Sequence, residues 1–220
     1  NDKPSALVPG NGGIALSLIP HRERRTLPFI KNLIPSRAEM VVNPRGFRPG
    51  SVRNDIFFYA MPLALERNPD IYFVCPAMAG QPQAESWVRR FKIQERVRLL
   101  PTLPQDQLWD LMSQSQVFAS ISSHDGTPNS LLEGLACGCF PVAGDIESLR
   151  EWIVPGVNGL LVEPDKPQQV AEAILTALDN SDLRRSAYHY NQSLIKNRVS
   201  IEFVRQKIDR FYRQVAGTSN

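Results

Sequence analysis

Short apolar runs alternate with longer stretches of helical period between residues 39 and 180 of this 220-residue chain. The short runs are rich in β-branched and aromatic residues and are bounded by turn residues, as strands are. Strands that alternate with helices are typical of successive βα units, in which a parallel sheet is covered on both faces and its strands are apolar throughout. The sequence therefore predicts an α/β fold, a Rossmann-like doubly wound parallel sheet of about six strands with helices on both faces.

The predicted strands are the runs EMVVNP, DIYFVCP, RVRLLP, QVFASISS, CFPVAG and GLLVEP. Predicted helices lie near 54–67, across 84–91, from Gln105 onward, over 128–137 and over 165–180. Asp165 is the expected N-cap of the last of these. In the tail, Ser181 and Ser200 are expected to cap two more helices, and the second has a broad apolar stripe that indicates packing.

The pattern divides the chain into three parts. We expect residues 1–40 to be a connector from an upstream domain, 41–180 to be the Rossmann-like domain, and 181–220 to form C-terminal helices. The chain lacks an initiator methionine and its first residues are rich in turns, which favours a start within a longer protein. A complete chain whose methionine has been removed is the alternative.

Composition narrows the classes of partner. The hydrophobic fraction is 42%, yet no apolar run approaches the ~18 residues needed to span a bilayer, so a globular cytoplasmic chain is expected. The net charge of +3 comes from dispersed arginines, which suits phosphorylated small molecules better than nucleic acid. The three cysteines lie within apolar stretches and cannot all pair, which favours a reducing compartment.

The stretch HDGTPNSLLEG follows the fourth predicted strand and so belongs at the carboxyl edge of the sheet, where open α/β folds bind ligands. Gly126 permits close approach of the backbone, Thr127 can cap a helix, and Pro128 suits its first position. The exposed N–H groups and the partial positive charge of such a helix start favour a phosphate. We therefore expect an anion site here.

Two acids flank this helix start. Asp125 and Glu133 would be repelled by a phosphate, but they could accept hydrogen bonds from sugar hydroxyls on one side and ribose hydroxyls on the other. On spacing alone we favour the plainer interpretation, in which Asp125 is a turn residue and Glu133 an exposed helix acid.

A longer segment changes that balance. The sequence SSHDGTPNSLLEGLACGCFPVAGDIESLREWIVPGVNGLLVEPDKPQQVAEAI resembles the C-terminal, donor-binding domain of retaining GT-B glycosyltransferases of family 4, the group 1 family, whose hallmark is a Glu-x7-Glu motif. The resemblance covers residues 41 to about 180, and LVPGNGGI resembles the family's interdomain linker. It implies hexosyl transfer from a nucleotide-diphosphate sugar to an acceptor hydroxyl, with retained anomeric configuration, in polysaccharide or glycoconjugate synthesis. It also implies that the last helix crosses toward an N-terminal domain.

The resemblance assigns roles to individual residues. Asp125 matches the first acid, which faces the transferred sugar, although aspartate is one methylene shorter than the usual glutamate. Glu133 matches the second acid, which binds the ribose. The other implied donor contacts are Gly126, Thr127, Asn129, Ser130 and Leu131. Because Pro128 has no N–H, the backbone groups of Asn129, Ser130 and Leu131 are the better hydrogen-bond donors.

The family neutralises the diphosphate with cations from the loop after the first strand. Here Arg45 matches the first cation and Arg53 is our choice for the second, with Arg48 as the alternative. The resemblance places the base near Leu100 and Thr102. It requires no cofactor or metal, because protein cations take that role, and the sequence has no Asp-x-Asp metal motif.

Other features have simpler interpretations. We expect His124 to be a structural hydrogen-bonding residue, and Cys137 and Cys139 lack the other ligands of a zinc site. His21 with RERR could face a membrane acceptor at the inner face of the membrane, but a solvated connector is favoured.

Two alternative functions stay open: a non-catalytic nucleotide-sugar-binding module and a GT-B nucleotide-sugar epimerase. For the transferase, the acceptor sugar or glycolipid would bind through the N-terminal domain. We therefore expect this chain alone to bind donor without transferring sugar.

Overall fold

The computed structural model describes residues 12–20, 28, 33–35, 38–126 and 129–217. Its strands are β1 (Glu39–Val42), β2 (Ile71–Cys75), β3 (Val97–Leu99), β4 (Val117–Ser120), β5 (Phe140–Gly144) and β6 (Leu160–Val162). Its helices are α1 (Asn54–Arg67), α2 (Pro82–Phe91), α3 (Gln105–Gln114), α4 (Asn129–Ala136), α5 (Glu147–Arg150), α6 (Pro167–Asp179), α7 (Ser181–Arg198) and α8 (Ile201–Gly217), with a 3-10 helix at Leu16–Leu18.

All six strands are parallel, in the order β3-β2-β1-β4-β5-β6. Every residue of β2, β4 and β5 is buried, which explains why these strands are apolar at nearly every position. The strand order reverses between β1 and β4, where Val41 pairs with Val117. The predicted six-stranded Rossmann-like sheet is confirmed, and its switch point lies between β1 and β4.

Two hydrophobic clusters cover the two faces of the sheet. One surrounds Phe57, Phe73 and Ile174, and joins the sheet to α1, α2 and α6. The other surrounds Leu111 and Leu135, and joins it to α3, α4 and α7. Helices therefore pack on both faces, as the sequence predicts for a doubly wound sheet.

Two of the predicted helix caps are wrong. α6 begins at Pro167 after Lys166, because proline suits the first helical position, so Asp165 lies outside the helix. Asn180, rather than Ser181, caps α7, and its Oδ1 accepts a 2.8 Å hydrogen bond from the Leu183 N–H. Ser200 caps α8 as predicted, because its Oγ accepts from the Phe203 N–H at 3.2 Å.

The described part of the predicted connector contacts the C-terminal helices. The Ile14 N–H donates to the Val199 carbonyl at 2.8 Å, and the Ile14 carbonyl accepts from the Ile201 N–H at 3.0 Å. Gly13 has a φ of +100°, and a Cβ there would lie 2.8 Å from the Ile201 Cα.

His21 and RERR lie outside the described residues, and the domain boundaries stay a prediction. In the parts of the chain that the structure describes, none of the helices has the length and apolarity needed to cross a bilayer.

The loops that follow β1 and β4 pair with each other at the switch point. The Arg53 N–H donates to the Ile121 carbonyl at 2.7 Å, and Val52 forms an antiparallel bridge with Ser122. Gly144, at the end of β5, packs against the backbone of Ser122 in this pairing. A Cβ at Gly144 would lie 2.1 Å from the Ser122 carbonyl oxygen, so only glycine lets the loop after β4 cross β5 at this distance.

We expect Gly144→Ala to lower the free energy of unfolding by about 1–3 kcal/mol, because the added methyl group must displace the Ser122 backbone. Urea unfolding followed by circular dichroism measures this change. Gly126→Ala is the matched control, since a Cβ at Gly126 meets no atom within 4 Å. Equal stability of the two variants would contradict the steric argument.

Candidate functional site

One guanidinium joins three segments at the switch point. Arg45, in the loop after β1, places Nη1 at 3.0 Å from Asp125 Oδ2 in the loop after β4. The same Nη1 donates to Ser130 Oγ, in the first turn of α4, at 3.1 Å. The Arg45 and Asp125 side chains are only 10% and 11% exposed, so water screens their ion pair weakly. The structure thus brings together three residues that the sequence predicts for the site.

Two buried asparagines hold the loop that carries Arg45. Asn43 Oδ1 accepts from the Arg45 N–H at 3.1 Å, and Asn43 Nδ2 donates to Asn54 Oδ1 at 3.4 Å. Asn54 Nδ2 donates in turn to the Gly46 carbonyl at 3.3 Å. Neither asparagine is among the site residues predicted from the sequence. The available signal is an asparagine that directly follows an apolar strand, where a side-chain amide can close a turn.

Two buried polar atoms of the site make no hydrogen bond to any described residue. They are Arg45 Nε, a donor, and Asn129 Oδ1, an acceptor. Unpaired buried groups cost free energy, about 1–3 kcal/mol each. A ligand with an anionic oxygen for Arg45 and a hydroxyl for Asn129 would satisfy both groups.

The other two arginines of this loop differ in their pairing. Arg53 forms a bidentate pair with Asp55, with Nε–Oδ1 at 2.9 Å and Nη2–Oδ2 at 2.7 Å. This pairing raises the pKa of Arg53 and lowers the pKa of Asp55. Arg48 is exposed, and its side chain has no recorded partner among the described residues. The choice between Arg53 and Arg48 as the second phosphate contact stays a prediction.

Glu133 lies in the second turn of α4 and faces α3. Its Oε2 accepts a 3.2 Å hydrogen bond from Gln105 Nε2, in the first turn of α3. Burial raises the pKa of Glu133, while the N–H groups of Gln105 and Trp109 oppose that rise. Glu133 is therefore a partly buried carboxylate with hydrogen-bonding neighbours, and not the exposed helix acid of the plainer interpretation.

The two residues predicted to contact the base, Leu100 and Thr102, differ in how many of their polar groups are already hydrogen-bonded. The Leu100 N–H donates to the Cys75 carbonyl, and the Leu100 carbonyl accepts from Met78 and Ala79, each at 3.0 Å. A carbonyl oxygen has two lone pairs, so the Leu100 backbone is fully engaged. Thr102 is exposed and makes no hydrogen bond within the part of the chain that the structure describes. The prediction of a base contact in this loop therefore depends mainly on Thr102.

The remaining residues predicted near the site differ in their exposure to solvent. Gly126 is exposed, whereas the Leu131 side chain is 2% exposed and belongs to the core, so only its backbone could contact a ligand. Thr127 lies outside the described residues. His124 is exposed, and its backbone N–H donates to the Ser51 carbonyl at 3.4 Å.

The two neighbouring cysteines are both buried. Burial raises the pKa of the Cys137 thiol, and Cys139 Sγ donates to the Met112 carbonyl at 3.0 Å. Over the described ranges, no group of three or more His, Cys, Asp or Glu side chains could hold a metal ion. A cavity of about 500 Å³ lies apart from the site, between the end of α1 and the segment that precedes β3, and none of the predicted site residues lines it.

The family model for glycosyl transferases group 1 matches residues 55–194 of the chain. The GDP-mannose:cellobiosyl-diphosphopolyprenol alpha-mannosyltransferase of Xanthomonas campestris is 30% identical over 99 residues, which are 43% of this chain and 26% of the relative. The chain thus matches about a quarter of the length of that curated relative.

Two solved structures show the same fold. HepE of Anabaena, in complex with UDP and glucose, has a TM-score of 0.78 at 18% identity, over 92% of this chain and 55% of that one. The C-terminal domain of LpcC, a glycosyl transferase group 1 family protein of Francisella tularensis, has a TM-score of 0.71 at 19% identity. That match covers 84% of this chain and 97% of the LpcC domain.

We expect Glu133→Gln to raise the free energy of unfolding near neutral pH. The native pKa of Glu133 is raised above its ordinary value of 4.5, so the ionised carboxylate destabilises the folded state once the pH exceeds that native pKa. As the pH falls through the native pKa toward the ordinary value, the carboxyl protonates in the native state and the advantage of glutamine disappears. Urea titrations at a series of pH values measure this dependence.

Glu66→Gln is the control, because Glu66 is exposed on α1 and has no recorded side-chain partner among the described residues. A stability difference between Glu133→Gln and the unmodified chain that is the same at every pH would contradict the assignment.

Proposed function

Because this chain belongs to the glycosyl transferases group 1 family, we propose that it is the donor-binding domain of a retaining glycosyltransferase. It holds a nucleotide-diphosphate sugar for hexosyl transfer to an acceptor hydroxyl in polysaccharide or glycoconjugate synthesis. The Xanthomonas relative is named for GDP-mannose and the HepE structure contains UDP, which supports nucleoside diphosphates as the ligand class.

The observation that carries the proposal is the contact of Arg45 with Asp125 and Ser130 at the switch point. A guanidinium offers several donors in one plane, and it matches the oxygens of a phosphate. Arg45 Nε has no partner among the described residues, so the arginine keeps a donor for a diphosphate while Nη1 stays anchored. The first turn of α4, at Asn129 and Ser130, adds the partial positive charge of a helix start.

The carboxylates bind the hydroxyl groups on either side of the diphosphate. Asp125 accepts from the transferred sugar, and Glu133 accepts from the ribose. Each hydrogen bond to a charged group contributes about 1.5–3 kcal/mol where water is excluded. The two carboxylates therefore recognise the sugar and the ribose of a sugar nucleotide, while Arg45 binds the diphosphate between them.

Catalysis is mainly electrostatic in this proposal. As the bond between the anomeric carbon and the diphosphate breaks, negative charge develops on the departing phosphate oxygens. Arg45 and the start of α4 stabilise that charge, because both are fixed in position before the reaction begins. A second cation, Arg53 or Arg48, assists them, and no metal is needed.

We expect Arg45→Ala to weaken the binding of UDP and GDP about ten-fold or more, because a charge-assisted contact to the diphosphate is lost. Isothermal titration calorimetry with UDP, GDP, ADP and their sugar conjugates measures this effect and also identifies the base. Uridine and guanosine lack phosphate, so their affinities should not change.

Arg67→Ala is the matched control, since Arg67 is an exposed arginine at the far end of α1 that pairs with Glu172. A loss of affinity with Arg67→Ala as large as that with Arg45→Ala, or no loss with Arg45→Ala, would overturn the role of Arg45.

We also expect the 220-residue chain to bind the donor without transferring sugar, because the family resemblance places the acceptor pocket mainly in another domain. Incubation with radiolabelled UDP-glucose or GDP-mannose and a set of lipid-linked and free saccharide acceptors tests this expectation. Transfer at many turnovers per protein molecule would show that the chain is a complete enzyme.

A further inference from the structure

Two side chains of α3 face the Glu133 carboxylate. Gln105 and Trp109 are four residues apart on one helix, so they lie on the same face of it. Gln105 Nε2 lies 3.2 Å from Glu133 Oε2. Trp109 Nε1 is buried and has no hydrogen-bond acceptor among the described residues, and its N–H is one of the two groups that lower the pKa of the Glu133 carboxyl. The α3 face beside Glu133 thus carries two N–H donors, of which Gln105 is hydrogen-bonded to the carboxylate and Trp109 is buried without an acceptor.

We propose that Gln105 and Trp109 are positioning residues that hold the Glu133 carboxylate for the ribose hydroxyls and thereby set a preference for ribonucleotides over 2′-deoxyribonucleotides. This inference rests on the proposed role of Glu133 in nucleotide binding.

The Glu133 carboxylate has enough lone pairs to accept hydrogen bonds from Gln105, Trp109 and a ribose at the same time. A carboxylate has two oxygens and about four acceptor positions. The cis-diol of a ribose occupies two of them with its hydroxyl donors. Gln105 and Trp109 can use the remaining positions on the α3 side, so they do not compete with the nucleotide for the same lone pairs.

Positioning matters here because Glu133 is partly buried. Burial favours the protonated carboxyl, and a protonated carboxyl is a poorer acceptor for a diol. N–H donors favour the ionised form, in opposition to burial, and also restrict the side-chain torsions before the ligand arrives. Loss of these donors therefore weakens the contact with the ribose hydroxyls, while the diphosphate contacts at Arg45 are unchanged.

The test compares ribonucleotides with their deoxy counterparts. Titrations of UDP, dUDP, GDP and dGDP into the full chain give the affinity ratio of ribo to deoxy forms for Glu133→Ala, Gln105→Ala and Trp109→Phe. We expect a ratio of about ten for the unmodified chain, which corresponds to one charge-assisted hydrogen bond, and a fall of about three-fold or more in each variant. Trp109→Phe keeps the ring and removes only the N–H donor.

Matched controls keep a general effect on folding separate from positioning. Gln83→Ala removes an exposed glutamine from the first turn of α2, and Trp152→Phe replaces a tryptophan that stacks on Arg198 away from the site. Both should leave the ratio unchanged. The midpoint of urea unfolding is measured for every variant, and Gln105→Ala decides the outcome if Trp109→Phe does not fold.

The outcomes separate the inference from the function on which it rests. A ratio that falls in Glu133→Ala but not in Gln105→Ala or Trp109→Phe overturns the positioning role alone. An equal loss of affinity for ribo and deoxy forms in these two variants also overturns it. If Glu133→Ala leaves the ratio unchanged, or if none of the four nucleotides binds, the proposed function itself fails.

Discussion

The parallel pairing of β1 with β4 is the constraint on which the rest of the molecule depends. The chain leaves β1 for β2 on one side of this pair and leaves β4 for β5 on the other side. The loops that follow β1 and β4 therefore face each other across the switch point. Backbone hydrogen bonds between residues 51–53 and 121–124 then fix the two loops together. Arg45 and Asp125 meet because of this arrangement, and not because of any proximity in sequence.

The sequence predicts most of the fold because strands that are buried on both faces consist mainly of apolar residues. β2, β4 and β5 are apolar at nearly every position, and their helices have a clear period. α5 has only four residues, which is too short for a period, so it is not predicted. The incorrect caps have a related cause. Pro167 and Asn180 lie close to the predicted caps Asp165 and Ser181, and which of several adjacent capping residues begins a helix depends on backbone geometry.

The candidate site was less accessible to prediction than the fold. The family resemblance supplies Arg45, Asp125 and Glu133, but no local pattern shows that Arg45 and Ser130, 85 residues apart, share a hydrogen bond. Asn43 and Asn54 are missed because they hold the backbone of the Arg45 loop, and Gln105 because its partner Glu133 is 28 residues away in sequence. Such residues resemble ordinary loop and helix residues until the partner's position is known.

Ile14 is hydrogen-bonded on both sides of the junction between α7 and α8, to Val199 through its N–H and to Ile201 through its carbonyl. The segment before the domain and the helix after it are thus fastened to each other at one short stretch of backbone. One of the two segments can therefore separate from the other only if these two hydrogen bonds break.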